Sequence, residues 1–96
     1  MRIDKDPAKE ELNRRNHGFD FSFAEIILGD PLATMVYDRF ENGEHRWHVF
    51  ARVGNTVLLI VVTYPDPSDE SWIRVIGLRK ATSRERKCYE EERDND

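Results

Sequence analysis

The sequence predicts an α+β fold: two N-terminal helices, an antiparallel four-stranded sheet and a C-terminal helix, with room for a short edge strand at the very start. Three observations carry this reading. Helix-start and helix-stop signals bracket two segments before Pro31 and one after Ala81. Between them the apolar pattern changes from a helical period to strict alternation. Asn42-Gly43 and Gly54-Asn55 then divide the alternating stretch into hairpins.

Taken in order, Arg2-Ile3-Asp4 suits a short edge strand. Asp6-Pro7 opens the first helix, because Asp caps free N–H groups and Pro fits the first helical turn, where its missing N–H costs nothing. That helix is expected to reach Asn16 and to stop at His17-Gly18, with Ala8 and Leu12 as its thin buried stripe. Ser22-Phe23-Ala24-Glu25 reads as a capping box opening a second helix, with Phe23, Ile26 and Ile27 facing the core and Gly29 and Pro31 ending it.

Residues 33–38 form the next expected strand. In residues 45–53, Trp47, Val49, Ala51 and Val53 alternate with Arg46, His48, Phe50 and Arg52. Val57 to Thr63 is apolar and β-branched throughout, as in a central strand buried on both faces. A Pro/Asp/Ser loop leads to a last strand from Trp72 to Leu78. Thr82-Ser83-Arg84-Glu85 is a second capping box, opening a helix to about Glu91, and the acidic tail 90–96 is expected to fray.

Ninety-six residues suffice for one domain, 1–96, with a modest core. The one cysteine, Cys88, has no internal partner, and no metal-binding spacing surrounds it; a reducing, cytoplasmic setting without cofactor or metal is expected. The longest apolar run is far too short for a membrane span, so no membrane association is expected. The net charge of −4 conceals an uneven distribution. Residues 73–87 hold six basic side chains against one acidic, whereas residues 90–96 hold five acidic against one basic. A phosphate backbone responds to such a local patch rather than to the total.

No phosphate-binding loop, zinc-protease or serine-hydrolase motif is present, so any active site must be assembled across the sheet. RNA cleavage without metal needs a group to take the 2′-OH proton, cations to neutralise the phosphate oxygens, and a donor for the leaving 5′-oxygen. Arginine suits the second task; lysine or histidine serves the others. Arg46 and His48 share one face of a strand, where they bind phosphate or form a solvated face. Arg74 and Arg79 are an odd number of residues apart, so alternation puts them on opposite faces unless Gly77 marks a bulge. Glu85 has the chemistry of a general base, but its capping role accounts for it. Arg84, Arg86 and Lys87 bind RNA or pair with Glu90 and Glu91 at helical spacing. Trp47 and Trp72 have the shape to stack bases, although apolar strands in a small domain favour burial.

Asp6-Pro7-Ala8-Lys9, Asn16-His17-Gly18, Phe21 to Glu25 and Gly29 to Ala33 resemble the N-terminal half of the BrnT toxins. Arg46-Trp47, Val57 to Val62, Ile73 to Ile76, Leu78 to Thr82, and Arg84-Glu85-Arg86 with Tyr89 resemble the second half in order and spacing. The resemblance implies a RelE-like fold and a ribonuclease toxin that blocks translation. It further implies neutralisation by a BrnA-like ribbon-helix-helix antitoxin that contacts promoter DNA. It assigns the catalytic positions to Lys9, Arg46, Arg74 and Arg79, and adds His17 as an RNA contact; the basic patch and the Arg46 strand face supply His48, Lys80, Arg84 and Arg86 as the other expected RNA contacts. His45 stands where the family often has an acid. That departure leaves an alternative: a catalytically degenerate module that docks its antitoxin and tunes repression.

Overall fold

The computed structural model describes residues 1–94, with the side chains of residues 93 and 94 left aside. The element order is β1 (Arg2–Lys5), α1 (Pro7–His17), α2 (Phe23–Leu28), β2 (Thr34–Glu41), β3 (Glu44–Val53), β4 (Thr56–Thr63), β5 (Trp72–Lys80) and α3 (Ser83–Asp94). The strands form one five-stranded sheet in the order β1-β5-β4-β3-β2.

The sheet departs from the antiparallel expectation at one edge. β1 pairs in parallel with β5, Ile3 opposite Ile73 and Asp4 opposite Arg74, so the sheet is mixed. The remaining strands form the expected meander. Its first turn uses Asn42 and Gly43, both with positive φ (53° and 80°), the left-handed geometry that Asn-Gly adopts readily.

Asp6 caps α1 by accepting N–H bonds from Ala8 and Lys9, and Gly18 ends it in the left-handed conformation with φ 79°. The buried stripe of α1 differs from expectation. Leu12 is exposed and Asn13 is buried. Asn13 Nδ2 donates to the carbonyls of Leu78 and Phe19, at 2.7 and 2.9 Å, and its Oδ1 accepts from the Leu78 N–H at 3.0 Å. β1 pairs only as far as Val75. Beyond that point the Asn13 amide does the work of a neighbouring strand, satisfying backbone groups that burial would otherwise leave unpaired.

The predicted box at the start of α2 does not form. Ser22 lies in the helical region and its hydroxyl donates to Asp20, while Glu25 pairs with Lys5. The chain has already turned at Asp20, which also accepts the Ser22 N–H at 2.9 Å, so Ser22 has no cap to provide. Ile26 is exposed rather than core-facing; Ala24 and Ile27 are the residues with no exposure. A six-residue helix presents only one turn and a half, and its contact face runs through Phe21, Ala24 and Ile27.

The two faces of the sheet are covered unequally. On one, Phe21, Ala24 and Ile27 pack against Val49, Ala51, Leu58, Ile60, Val62, Ile73, Val75 and Leu78. On the other, Tyr89 of α3 packs on Phe50, Val57 and Leu59. β4 is buried on both faces as expected, with Val61 alone of its apolar residues half-buried. α3 begins with the predicted box: Thr82 Oγ1 accepts from Glu85 N at 3.2 Å, and Thr82 N donates to Glu85 at 2.8 Å. It continues beyond Glu91 to Asp94, with Glu90 accepting from both Arg52 and Arg86, so residues 90–94 are helical rather than frayed. Residues 95 and 96 of the tail lie outside the described residues.

Candidate functional site

α3 covers only the end of its face where Phe50, Val57 and Leu59 stand. The remainder of that face is polar, and register determines which side chains meet there. β3 pairs with β4 so that Arg46 faces Thr63 and His48 faces Val61; β4 pairs with β5 so that Thr63 faces Arg74, Val61 faces Gly77 and Leu59 faces Arg79. The register shifts by one residue between Val75 and Gly77. This bulge reverses the alternation, and Arg74 and Arg79 come to the same face despite their odd separation. One cross-strand row therefore reads Arg46, Thr63, Arg74.

Gly77, opposite Val61, has no side chain to fill the space beside this row. The backbone there forms the floor of a cleft of about 330 Å³. α1 forms one wall through Lys9, Asn13, Asn16 and His17, and Arg46 reaches in from β3. Lys9, Asn13 and Asn16 line this side because three- and four-residue spacing sets them on one helix face. Three of the residues singled out in the sequence, Lys9, His17 and Arg46, thus line a single cleft. Leu12, Asn13, Asn16, Ile76 and Gly77 complete it, and of these Asn13 was marked by no sequence signal.

Arg46, Arg74 and Arg79 each have a carboxylate partner. Arg46 Nη1 lies 2.8 Å from Glu41, Arg74 Nη1 lies 3.6 Å from Glu44, and Arg79 makes two bonds to Glu85, at 2.7 and 3.0 Å. The Arg79 guanidinium holds the Glu85 carboxyl at about 2, well below the usual carboxylate range, and the backbone N–H of Thr82 adds to the effect. Glu85 is therefore a fixed anion that orients Arg79 and caps α3, and its low pKa makes it a poor proton acceptor. Among the described residues, Lys9 and His17 have no carboxylate partner. Buried Arg46 Nε and Thr63 Oγ1 have no hydrogen-bond partner.

His48 stands two residues from Arg46 on the same face, with Nε2 3.3 Å from Asp38. Asp38 occupies the irregularity in the β2–β3 pairing, which turns its carboxylate onto this face, a placement that strand alternation does not reveal. His48 lines a second cleft, with Arg84, Glu85 and Tyr89 beneath α3. Two further candidates stand apart. Lys80 pairs opposite Leu58, which belongs to the α2 face, and Arg86 pairs with Glu90 along α3. Trp47 is half-buried against the core, and Trp72 donates from Nε1 to Asp4 at 2.7 Å beneath the Arg2 guanidinium.

Among the described residues, no three His, Cys, Asp or Glu side chains gather as a metal site, and no helix is long and apolar enough to cross a membrane. No curated protein matches the chain. A family model described as the ribonuclease toxin BrnT of type II toxin–antitoxin systems matches residues 6–85, which takes in β2 to β5, all of α1 and α2, and the arginine row. The chain belongs to the BrnT family of ribonuclease toxins.

Proposed function

We propose that this protein is an endoribonuclease that cleaves RNA without a metal ion, on the polar half of the α3 face, and so blocks translation in the cytoplasm. The observation that carries the reading is the convergence of Lys9, His17 and Arg46 on one cleft beside the Arg46–Thr63–Arg74 row. Arg46, Arg74 and Arg79 supply fixed positive charge for the phosphate oxygens, the term that usually dominates such catalysis. One of Lys9 and His17 takes the 2′-OH proton; O2′ attacks phosphorus; the bond from phosphorus to O5′ breaks, and O5′ takes a proton from the other of the two. His48 and Arg84 extend the binding surface along the second cleft. Lys80 and Arg86 contact RNA only as peripheral cations.

The partner is an antitoxin, as type II membership entails. We infer that it is of the ribbon-helix-helix kind and that it carries the complex to promoter DNA. A second reading has an observation in its favour: all three arginines are held by carboxylates, the arrangement expected of a degenerate module that docks its antitoxin and tunes repression. Incubating purified parent protein with RNA, beside Arg46→Ala and Lys9→Ala, decides between them. Cleavage by the parent and loss in both variants supports the enzyme. An inactive, non-toxic parent that still captures its antitoxin supports the module.

A further inference from the structure

The carboxylate partners of Arg46 and Arg74 come from a single turn. Glu41 ends β2, Glu44 begins β3, and the two stand opposite one another across Asn42-Gly43. The parity of β3 sets Glu44 on the same face as Arg46. The hairpin therefore delivers two anions to the two ends of one row, Arg46 on β3 and Arg74 on β5, with buried Thr63 between them. Asp4, opposite Arg74 on β1, adds a third negative charge nearby and is itself held by Arg2 and Trp72.

These pairs differ from Arg79–Glu85. Glu85 is gripped by two guanidinium bonds and the Thr82 N–H, and is one-quarter exposed. Glu41 and Glu44 are 45% and 39% exposed, and the Arg74–Glu44 separation of 3.6 Å is long for an ion pair. Exposed pairs of this kind hold weakly, whereas a phosphate offers guanidinium a strong two-pronged contact. The unpartnered Arg46 Nε shows that Glu41 does not use all of the donors of that guanidinium.

We propose that Glu41 and Glu44 are exchangeable counter-ions that set the affinity of the site for RNA. In the free protein they hold Arg46 and Arg74 over the row. A phosphodiester displaces them, and every binding event works against their attraction. They are positioning residues, and the inference rests on the ribonuclease reading of this face. It also accounts for a nucleic-acid site in a chain of net charge −4: the anions beside it moderate its hold on RNA.

The test is fluorescence anisotropy of a labelled 2′-O-methyl oligouridylate, which cannot be cleaved, over a range of sodium chloride concentrations. The proteins are the parent, Glu41→Gln/Glu44→Gln, Arg46→Ala/Arg74→Ala, and the combination of all four changes. All are surface or half-buried positions, and circular dichroism confirms folding. The glutamine pair is expected to bind about fivefold tighter at low salt, with a steeper salt dependence, as two released cations engage phosphate. That gain is expected to vanish in the fourfold variant. With cleavable RNA the glutamine pair lowers KM more than it changes kcat. Unchanged or weaker binding by the glutamine pair, with binding lost in Arg46→Ala/Arg74→Ala, overturns the counter-ion role and leaves the site standing. Parent-like binding by Arg46→Ala/Arg74→Ala overturns the site itself.

Discussion

The two faces of the sheet are built from alternate residues of the same strands and have opposite characters. The α2 face is continuously apolar, from Val49 and Ala51 through Leu58, Ile60 and Val62 to Ile73, Val75 and Leu78. The α3 face is apolar only beneath Tyr89 and turns polar along Arg46, Thr63 and Arg74. One side stores the folding free energy, which leaves the other free to carry groups that contribute little to it. In a chain this short the second core, Phe50, Val57, Leu59 and Tyr89, stays small, so most of the α3 face is left to chemistry rather than stability.

Substitutions separate the two roles. The largest effect is expected from Phe21→Ala, which removes a fully buried ring from the α2 face and costs about 3–5 kcal/mol. Urea unfolding measures it, and a loss below about 1 kcal/mol would show that the core lies elsewhere. Arg46→Ala is expected to lower RNA cleavage by about a hundredfold or more while barely moving the unfolding midpoint. A large drop in stability with unchanged kcat would invert the division between the faces.

Asn13→Ala tests the place where the roles meet, since this side chain both walls the cleft and completes β5. Leaving the Leu78 N–H and C=O unpaired should cost about 1–3 kcal/mol, measured by thermal unfolding. The smallest effect concerns acid. Glu85 is held at about 2 in the folded protein, below its ordinary value of 4.5. A depressed carboxylate stabilises the fold above its unfolded pKa, and that contribution is lost as pH falls from about 4.5 towards 2. After allowance for solvent screening it amounts to about 1–2 kcal/mol. Glu85→Gln should therefore unfold more easily than the parent at neutral pH and lose less stability on acidification. Parallel pH profiles would show that the Arg79–Glu85 pair does not contribute.

Apart from the Ser22–Glu25 box, local signals in the sequence were legible and distant ones were not. Asn42-Gly43 specified its turn, Thr82 and Glu85 specified the start of α3, and alternation sorted the residues of β3 correctly. The parallel pairing of β1 was hidden because four residues carry no readable period and their partner lies some seventy residues away. Hydrophobicity picked Leu12 for the buried stripe of α1, whereas the free backbone edge of β5 required the hydrogen-bonding amide of Asn13. The parity of Arg74 and Arg79 depended on a bulge that Gly77 could only suggest. At the site, Lys9 entered through a family resemblance, whereas alternation along β3 had already marked Arg46. The acids that partner Arg46, Arg74 and His48, namely Glu41, Glu44 and Asp38, depended on strand register, which one sequence does not display.

The central claim is that RNA meets the polar half of the α3 face. Amide chemical-shift mapping by nuclear magnetic resonance, with the uncleavable oligouridylate added stepwise, tests it most directly. The account predicts that shifts concentrate at Lys9, Asn13, His17, Arg46, Thr63, Arg74 and Gly77. Shifts confined to α2 and the outer side of Ile26, with that group unmoved, would contradict it.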